Sequence, residues 1–218
     1  MSTRPTEELI ETLAAAPAPV QPLAPPARRA LQSLAILALL GVLAVVLMAD
    51  PSFLLARARA APVAFALEQL AMLATAALAV AGAFHLSIPG RSRRWLIAPL
   101  PPLAVWLMLS GLGCTRFLAG SRAPVPQVGH DVDCLVFIVA AGAAIGLPLL
   151  WRLSRAAPID PLPVALLGGL GSAALSAFLL QFFHPFDLTL LDLAVHLAAI
   201  LFVIGLAALL RRPMLRPA

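Results

Sequence analysis

The sequence predicts an all-α membrane protein: a six-transmembrane-helix bundle, N-in/C-in, with a short cytoplasmic amphipathic helix at its N-terminus. Three observations predict it. Hydrophobic residues make up 61% of the 218 positions and charged residues only 11%, whereas a soluble domain carries about 25% charged residues and needs them to cover its surface. The apolar residues fall in blocks of about twenty, the length that crosses a bilayer as a helix. Proline and charge stand between the blocks, at Asp50–Pro51, Pro89–Gly90, Pro158 with Pro161, and His184–Pro185, where proline breaks no needed helical hydrogen bond. Disorder and fibrous repeats are excluded, since they require polarity or a strict short period.

The six expected spans run from Leu31 to Ala49, Val63 to Phe84, Trp95 to Gly113, Cys134 to Leu150, Leu162 to Phe183 and Leu188 to Leu210. They divide the chain into a cytoplasmic segment, residues 1–30, a transmembrane bundle, residues 31–210, and a cytoplasmic tail, residues 211–218. Orientation follows from arginine, because basic residues collect at cytoplasmic ends. All fifteen basic residues are Arg. One side carries Arg4, Arg28, Arg29, Arg91, Arg93, Arg94, Arg152, Arg155, Arg211, Arg212 and Arg216; the other carries Arg57, Arg59, Arg116 and Arg122. Both termini are therefore expected in the cytoplasm. The net charge of +5 is accounted for by this topology and calls for no nucleic acid.

Within the first thirty residues, Thr6 can cap a helix whose first turn holds Glu7 and Glu8, acids that suit the positive end of the helix dipole. Leu9, Ile10 and Leu13 share one face. Pro17, Pro19, Pro22, Pro25 and Pro26 follow and make an extended arm. A short acidic helix on such an arm suits docking on a partner; an interfacial helix is the plainer reading. Small residues in the fourth span (Gly142, Gly146) and the fifth (Gly168, Gly169, Gly171, Ser172) predict close helix contact.

Residues able to do chemistry gather on the side opposite the arginines. Cys114 ends the third span; His130, Asp131, Asp133 and Cys134 open the fourth; His184 and Asp187 lie between the fifth and sixth. Thiolate and imidazole bind soft or borderline metal ions, and two cysteines on an oxidising face can pair. The alternative is that the aspartates charge a helix N-terminus and the cysteines fill space. Inside the sixth span Asp192 and His196 stand four residues apart and form a plausible intramembrane pair, since a lone charge at that depth costs about 2.5–3.5 kcal/mol on insertion scales. Glu68, in the second span, is similar. No hydrolase, zincin, Walker or Rossmann signature occurs, so no enzyme, cofactor or small-molecule substrate is expected.

The start Thr6-Glu7-Glu8-Leu9-Ile10-Glu11-Thr12-Leu13, the proline arm reaching Arg28–Arg29, Asp133-Cys134-Leu135, Arg155-Ala156-Ala157-Pro158 before a Gly-rich span, the His184–Pro185 turn and His196 together resemble the NrsF-type membrane proteins. These are negative regulators of extracytoplasmic-function sigma factors. The resemblance implies an anti-sigma factor of the bacterial inner membrane whose cytoplasmic side holds the sigma factor until a signal on the outer face releases it. Its partners would be the sigma factor and the lipid bilayer, with no direct contact to nucleic acid. Glu7, Glu8, Leu9, Ile10, Glu11 and Leu13 would meet the sigma factor. Cys134 matches a sensing cysteine of the family, with Cys114, His184, His130 and Asp133 as neighbours, and Cys134 with His184 as candidate ligands of a transient metal ion. Where the family pattern leads one to expect Cys-Pro before the last span, this chain has His184-Pro185, which leaves the stimulus open. The rival reading is a small transporter or oxidoreductase subunit using Asp192, His196 and Glu68.

Overall fold

The computed structural model describes residues 6–15, 22–49, 52, 55, 59, 62–119, 128–183 and 190–215. The helices are α1 (Thr6–Ala14), α2 (Pro26–Met48), α3 (Pro62–Leu86), α4 (Arg94–Ile97), α5 (Leu100–Ala119), α6 (Val128–Ser154), α7 (Pro161–Leu180) and α8 (Leu190–Leu215). Among the described residues six helical segments are long and apolar enough to cross a membrane, α4 and α5 together supplying one of them.

Several boundaries differ from the hydropathy blocks for identifiable reasons. α2 starts at Pro26, ahead of the apolar run, because proline is tolerated and even pre-organised in the first turn and the arginines that follow are good helix formers. Arg28 and Arg29 are therefore helical, and the junction between arm and bundle lies at Pro25–Pro26. α8 likewise continues through Arg211 and Arg212 to Leu215, with Pro213 inside it. Between α4 and α5 the helix is interrupted at Ala98–Pro99 and resumes with the Leu103 amide donating to the Pro99 carbonyl at 3.1 Å. Pro99, Pro101 and Pro102 have no N–H to give.

α7 is the central post. Within its span 61% of residues are buried, and it packs against α3, α6 and α8. Apolar side chains do not drive helices together in lipid, so close backbone approach through small residues must do it. A Cβ added to Gly171 would stand 2.8 Å from Val80 Cγ2 of α3; at Gly169 it would stand 2.9 Å from Ala207 Cβ and the Ile204 Cα of α8. Gly142 of α6 makes the same kind of contact with Val203 of α8, and Gly146 lies against Ser172. The small residues thus pack the helices, as their spacing predicts. Hydroxyls in this apolar interior bond back to their own helices: Ser172 to the Gly169 carbonyl at 3.0 Å, Ser176 to Ala173 at 2.9 Å and, in α3, Thr75 to Ala71 at 2.7 Å. That satisfies groups which would otherwise be stranded in hydrocarbon.

Candidate functional site

The folded bundle brings the arginine-bearing segments to one end. Ala30 of α2, Phe84 of α3, Leu153 of α6, Val164 of α7 and Leu215 of α8 share one buried cluster, so the N-terminal turns of α2 and α7 meet the C-terminal turns of α3, α6 and α8. Arg28, Arg29, Arg91, Arg93, Arg94, Arg152, Arg155, Arg211 and Arg212 all lie at this end.

Arg29 differs from the rest because it is only 7% exposed. Its Nη2 donates to the Arg152 carbonyl at 2.8 Å, capping a carbonyl in the last turn of α6 that has no helical partner of its own. Its Cζ lies 5.0 Å from the centroid of the Phe84 ring, within cation–π range. Nη1 is buried without a hydrogen-bond partner among the described residues. Arg152 and Arg155 add to the positive potential around it, and Arg155 in turn lies over the Trp151 ring at 4.2 Å. One side chain therefore ties α2, α3 and α6 together.

Beside it the turn after α3 folds back. The Ser87 hydroxyl donates to the Phe84 carbonyl at 2.7 Å, Gly90 takes φ +78°, a conformation that glycine adopts at no steric cost, and His85 stacks on Trp95 at 4.2 Å. Opposite, α6 ends through Ala157, whose φ of 44° is left-handed and reverses the chain before Pro158. The two turns flank an open cavity of about 450 Å³. Leu86, Ile88, Leu96, Ile159, Leu162 and Leu166 give it apolar walls, with Arg91, Arg93 and Asp160 also lining it.

The other end holds the residues expected to sense. Cys134 is 1% exposed and packs with Ile138, Leu180 and Ala199. Asp133, one residue earlier, is exposed. His130 lies in the first turn of α6 and Cys114 in α5, but their side chains, and His184 altogether, are outside the described residues. No group of three or more His, Cys, Asp or Glu able to hold a metal ion occurs among the described residues. Toward the same end Glu68 is buried on α3 and accepts a hydrogen bond from the Ser110 hydroxyl of α5 at 2.8 Å. The sequence pointed to Glu68 but not to its partner. His196 is half-buried on α8; the side chain of Asp192, its expected partner, is outside the described residues. On α1, Glu7, Glu8, Leu9, Ile10 and Glu11 are exposed, and the side chain of Leu13 is outside the described residues.

Sequence reasoning missed Arg29 as an interior residue and missed the cavity. In the sequence Arg29 is indistinguishable from its exposed neighbour Arg28. The cavity is built from two turns some seventy residues apart, Ile88–Arg93 and Ile159–Asp160.

The family described as negative regulator of sigma F, NrsF, matches residues 13–216. The chain belongs to the NrsF family. The match takes in all six membrane-length segments of this NrsF chain, the cavity and Arg29, and starts at Leu13, so that Glu7, Glu8, Leu9, Ile10 and Glu11 precede it. No curated protein and no solved structure matches the chain.

Proposed function

We propose that this NrsF chain is an inner-membrane anti-sigma factor that sequesters an extracytoplasmic-function sigma factor at its arginine-rich, cytoplasmic end and releases it when a stress signal acts on the opposite face. The observation that carries the reading is the family match over residues 13–216. The gathering of nine described arginines at the end where α2 begins supports it, since basic ends face the cytoplasm. In this reading α1 is an amphipathic clamp: Leu9, Ile10 and Leu13 anchor the sigma factor, and Glu7, Glu8 and Glu11 meet its basic helices. The reading includes no catalytic step and no resident cofactor. The transporter alternative expects helices broken at mid-membrane, whereas α3, α6, α7 and α8 run without interruption.

Cys134 is the proposed sensor, assisted by Cys114, His184, His130 or Asp133. Its burial among Ile138, Leu180 and Ala199 gives the mechanism a definite form. A metal ion or oxidant reaches the thiol when that end of α6, α7 and α8 opens, and by trapping the opened state it shifts the population of bundle states. Tenfold weaker hold on the sigma factor needs a difference of about 1.4 kcal/mol between the two states, which one thiolate–metal bond or one disulfide supplies.

The test is co-purification of the sigma factor with the full chain in detergent or nanodiscs. Binding is expected, with loss of roughly a hundredfold or more for Leu9→Asp with Leu13→Asp, since apolar anchors dominate such contacts. Unchanged binding by that double variant would remove α1 from the interface. No binding by the wild-type chain would remove the anti-sigma reading.

A further inference from the structure

The cavity at the arginine-rich end lies apart from the proposed sensing residues, and every described side chain of α1 is exposed. Isolated helices shorter than about 12–15 residues are marginal in water, and α1 has nine residues, with Leu9 and Ile10 exposed. It needs a surface in order to persist. The cavity has a matching need: Ile159, at its edge, is 82% exposed and lies between the membrane-length segments rather than within one.

We propose that the cavity is the docking site of the chain's own α1, Leu9 and Ile10 entering between Ile88, Ile159 and Leu162 while Glu7, Glu8 and Glu11 meet Arg91 and Arg93. The charges are complementary, because the exposed rim groups are two arginines and Asp160, whereas α1 carries three glutamates and no base. Asp160 stands on the α7 side of the opening, so the acidic face of α1 turns toward the Gly90 turn.

Geometry permits the contact. The root of the arm is close: Arg29, in the first turn of α2, touches Phe84, two residues before the cavity wall begins at Leu86. Eleven residues, 15–25, separate α1 from α2. By length alone they reach about 34 Å at the polyproline rise of about 3.1 Å per residue, ample to cross the end of the bundle. A tether of this length holds α1 at an effective concentration on the order of millimolar, so a weak site fills. Where the anti-sigma reading holds, the consequence is competition. The cavity and the sigma factor draw on the same face of α1, and the sigma factor captures α1 only by displacing it from its seat.

The docking is tested without any sigma factor. The full chain, with Cys114→Ser and Cys134→Ser, receives Ile10→Cys and Ile159→Cys and is placed in phosphatidylcholine nanodiscs with a short bismaleimide. The expected product is a link within one chain, formed roughly tenfold slower with Arg91→Glu and Arg93→Glu, as reversal of two ion pairs predicts, and restored when Glu7→Arg and Glu8→Arg are added. Rescue by the charge swap shows that the slow variant is folded. The proposal is overturned by a rate indifferent to the arginine reversal, by links that join only separate copies of the chain, or by loss of the link in discs containing phosphatidylglycerol, which would give Arg91 and Arg93 to a lipid headgroup. In a separate arm, added sigma factor is expected to suppress the link. A link that persists while the sigma factor is bound overturns the competition and leaves the docking intact; a chain that docks α1 but binds no sigma factor refutes only the anti-sigma reading.

Discussion

α7 and α2 are both long and apolar enough to cross a membrane and are held in opposite ways. α7 is held along its whole length by glycines and serines that admit three neighbouring backbones, and 61% of its span is buried; the figure for α2 is 6%. α2 is attached by its first two turns, where Pro26, Arg29, Ala30 and Ser33 are buried, and by Gly41 against Leu179 of α7. Beyond that Leu39, Val46, Leu47 and Met48 are exposed, as suits a surface covered by lipid tails. The comparison teaches that in a bilayer the large apolar residues mark the outside and the small ones the core. It also teaches that a buried cation can help fasten a peripheral helix at its root.

The largest expected effect lies in α7. Gly171→Leu drives its side chain into Val80 Cγ2, with the Val80 amide and the Ala76 carbonyl directly behind. Backbone atoms cannot rotate away, so α3 and α7 must separate. A loss of about 3 kcal/mol or more is expected, read as the unfolding equilibrium of the chain in bicelles. A loss below about 1 kcal/mol would mean that the α3–α7 contact is looser than its geometry.

Next comes the attachment of α2. Arg29→Met keeps the aliphatic stem but removes the bond to the Arg152 carbonyl and the contact with Phe84. A charged hydrogen bond is worth about 1.5–3 kcal/mol, part of which is offset because the buried guanidinium no longer has to be desolvated. The expected net loss is about 1–2 kcal/mol, against no more than about 0.5 kcal/mol for Arg28→Met on the exposed side of the same turn. Equal effects of the two substitutions would show that the arginines act only as topology signals.

This pair also marks what the sequence makes legible. Block length located all six membrane-length segments, because length and apolarity are local properties. Proline and arginine placed their ends to within two turns, and the glycine spacing of α6 and α7 announced close packing. The buried state of Arg29 was not legible, since it depends on Phe84 and the Arg152 carbonyl, which arrive from distant segments. The partner of Glu68, Ser110, was hidden for the same reason. The cavity was hidden too, because two turns must meet before it exists. For the sensing set, Cys134 is placed in a buried cluster, while the side chains of Cys114 and His130, and His184, fall outside the described residues.

The smallest effect is expected in the exposed half of α2, and it is the most discriminating. Leu43→Ala with Leu47→Ala removes two large side chains that face away from the bundle. In water such a change on a buried face would cost several kcal/mol. In lipid the lost contacts are replaced by acyl chains both before and after unfolding within the bilayer, so the difference nearly cancels. A change within about 0.5 kcal/mol is expected in the same bicelle measurement. A loss above about 2 kcal/mol that grows as the chain is concentrated relative to lipid would mean that a second copy, not lipid, covers this face. In that case the low burial of α2 would belong to the isolated chain alone, and the contrast with α7 would vanish in the assembly.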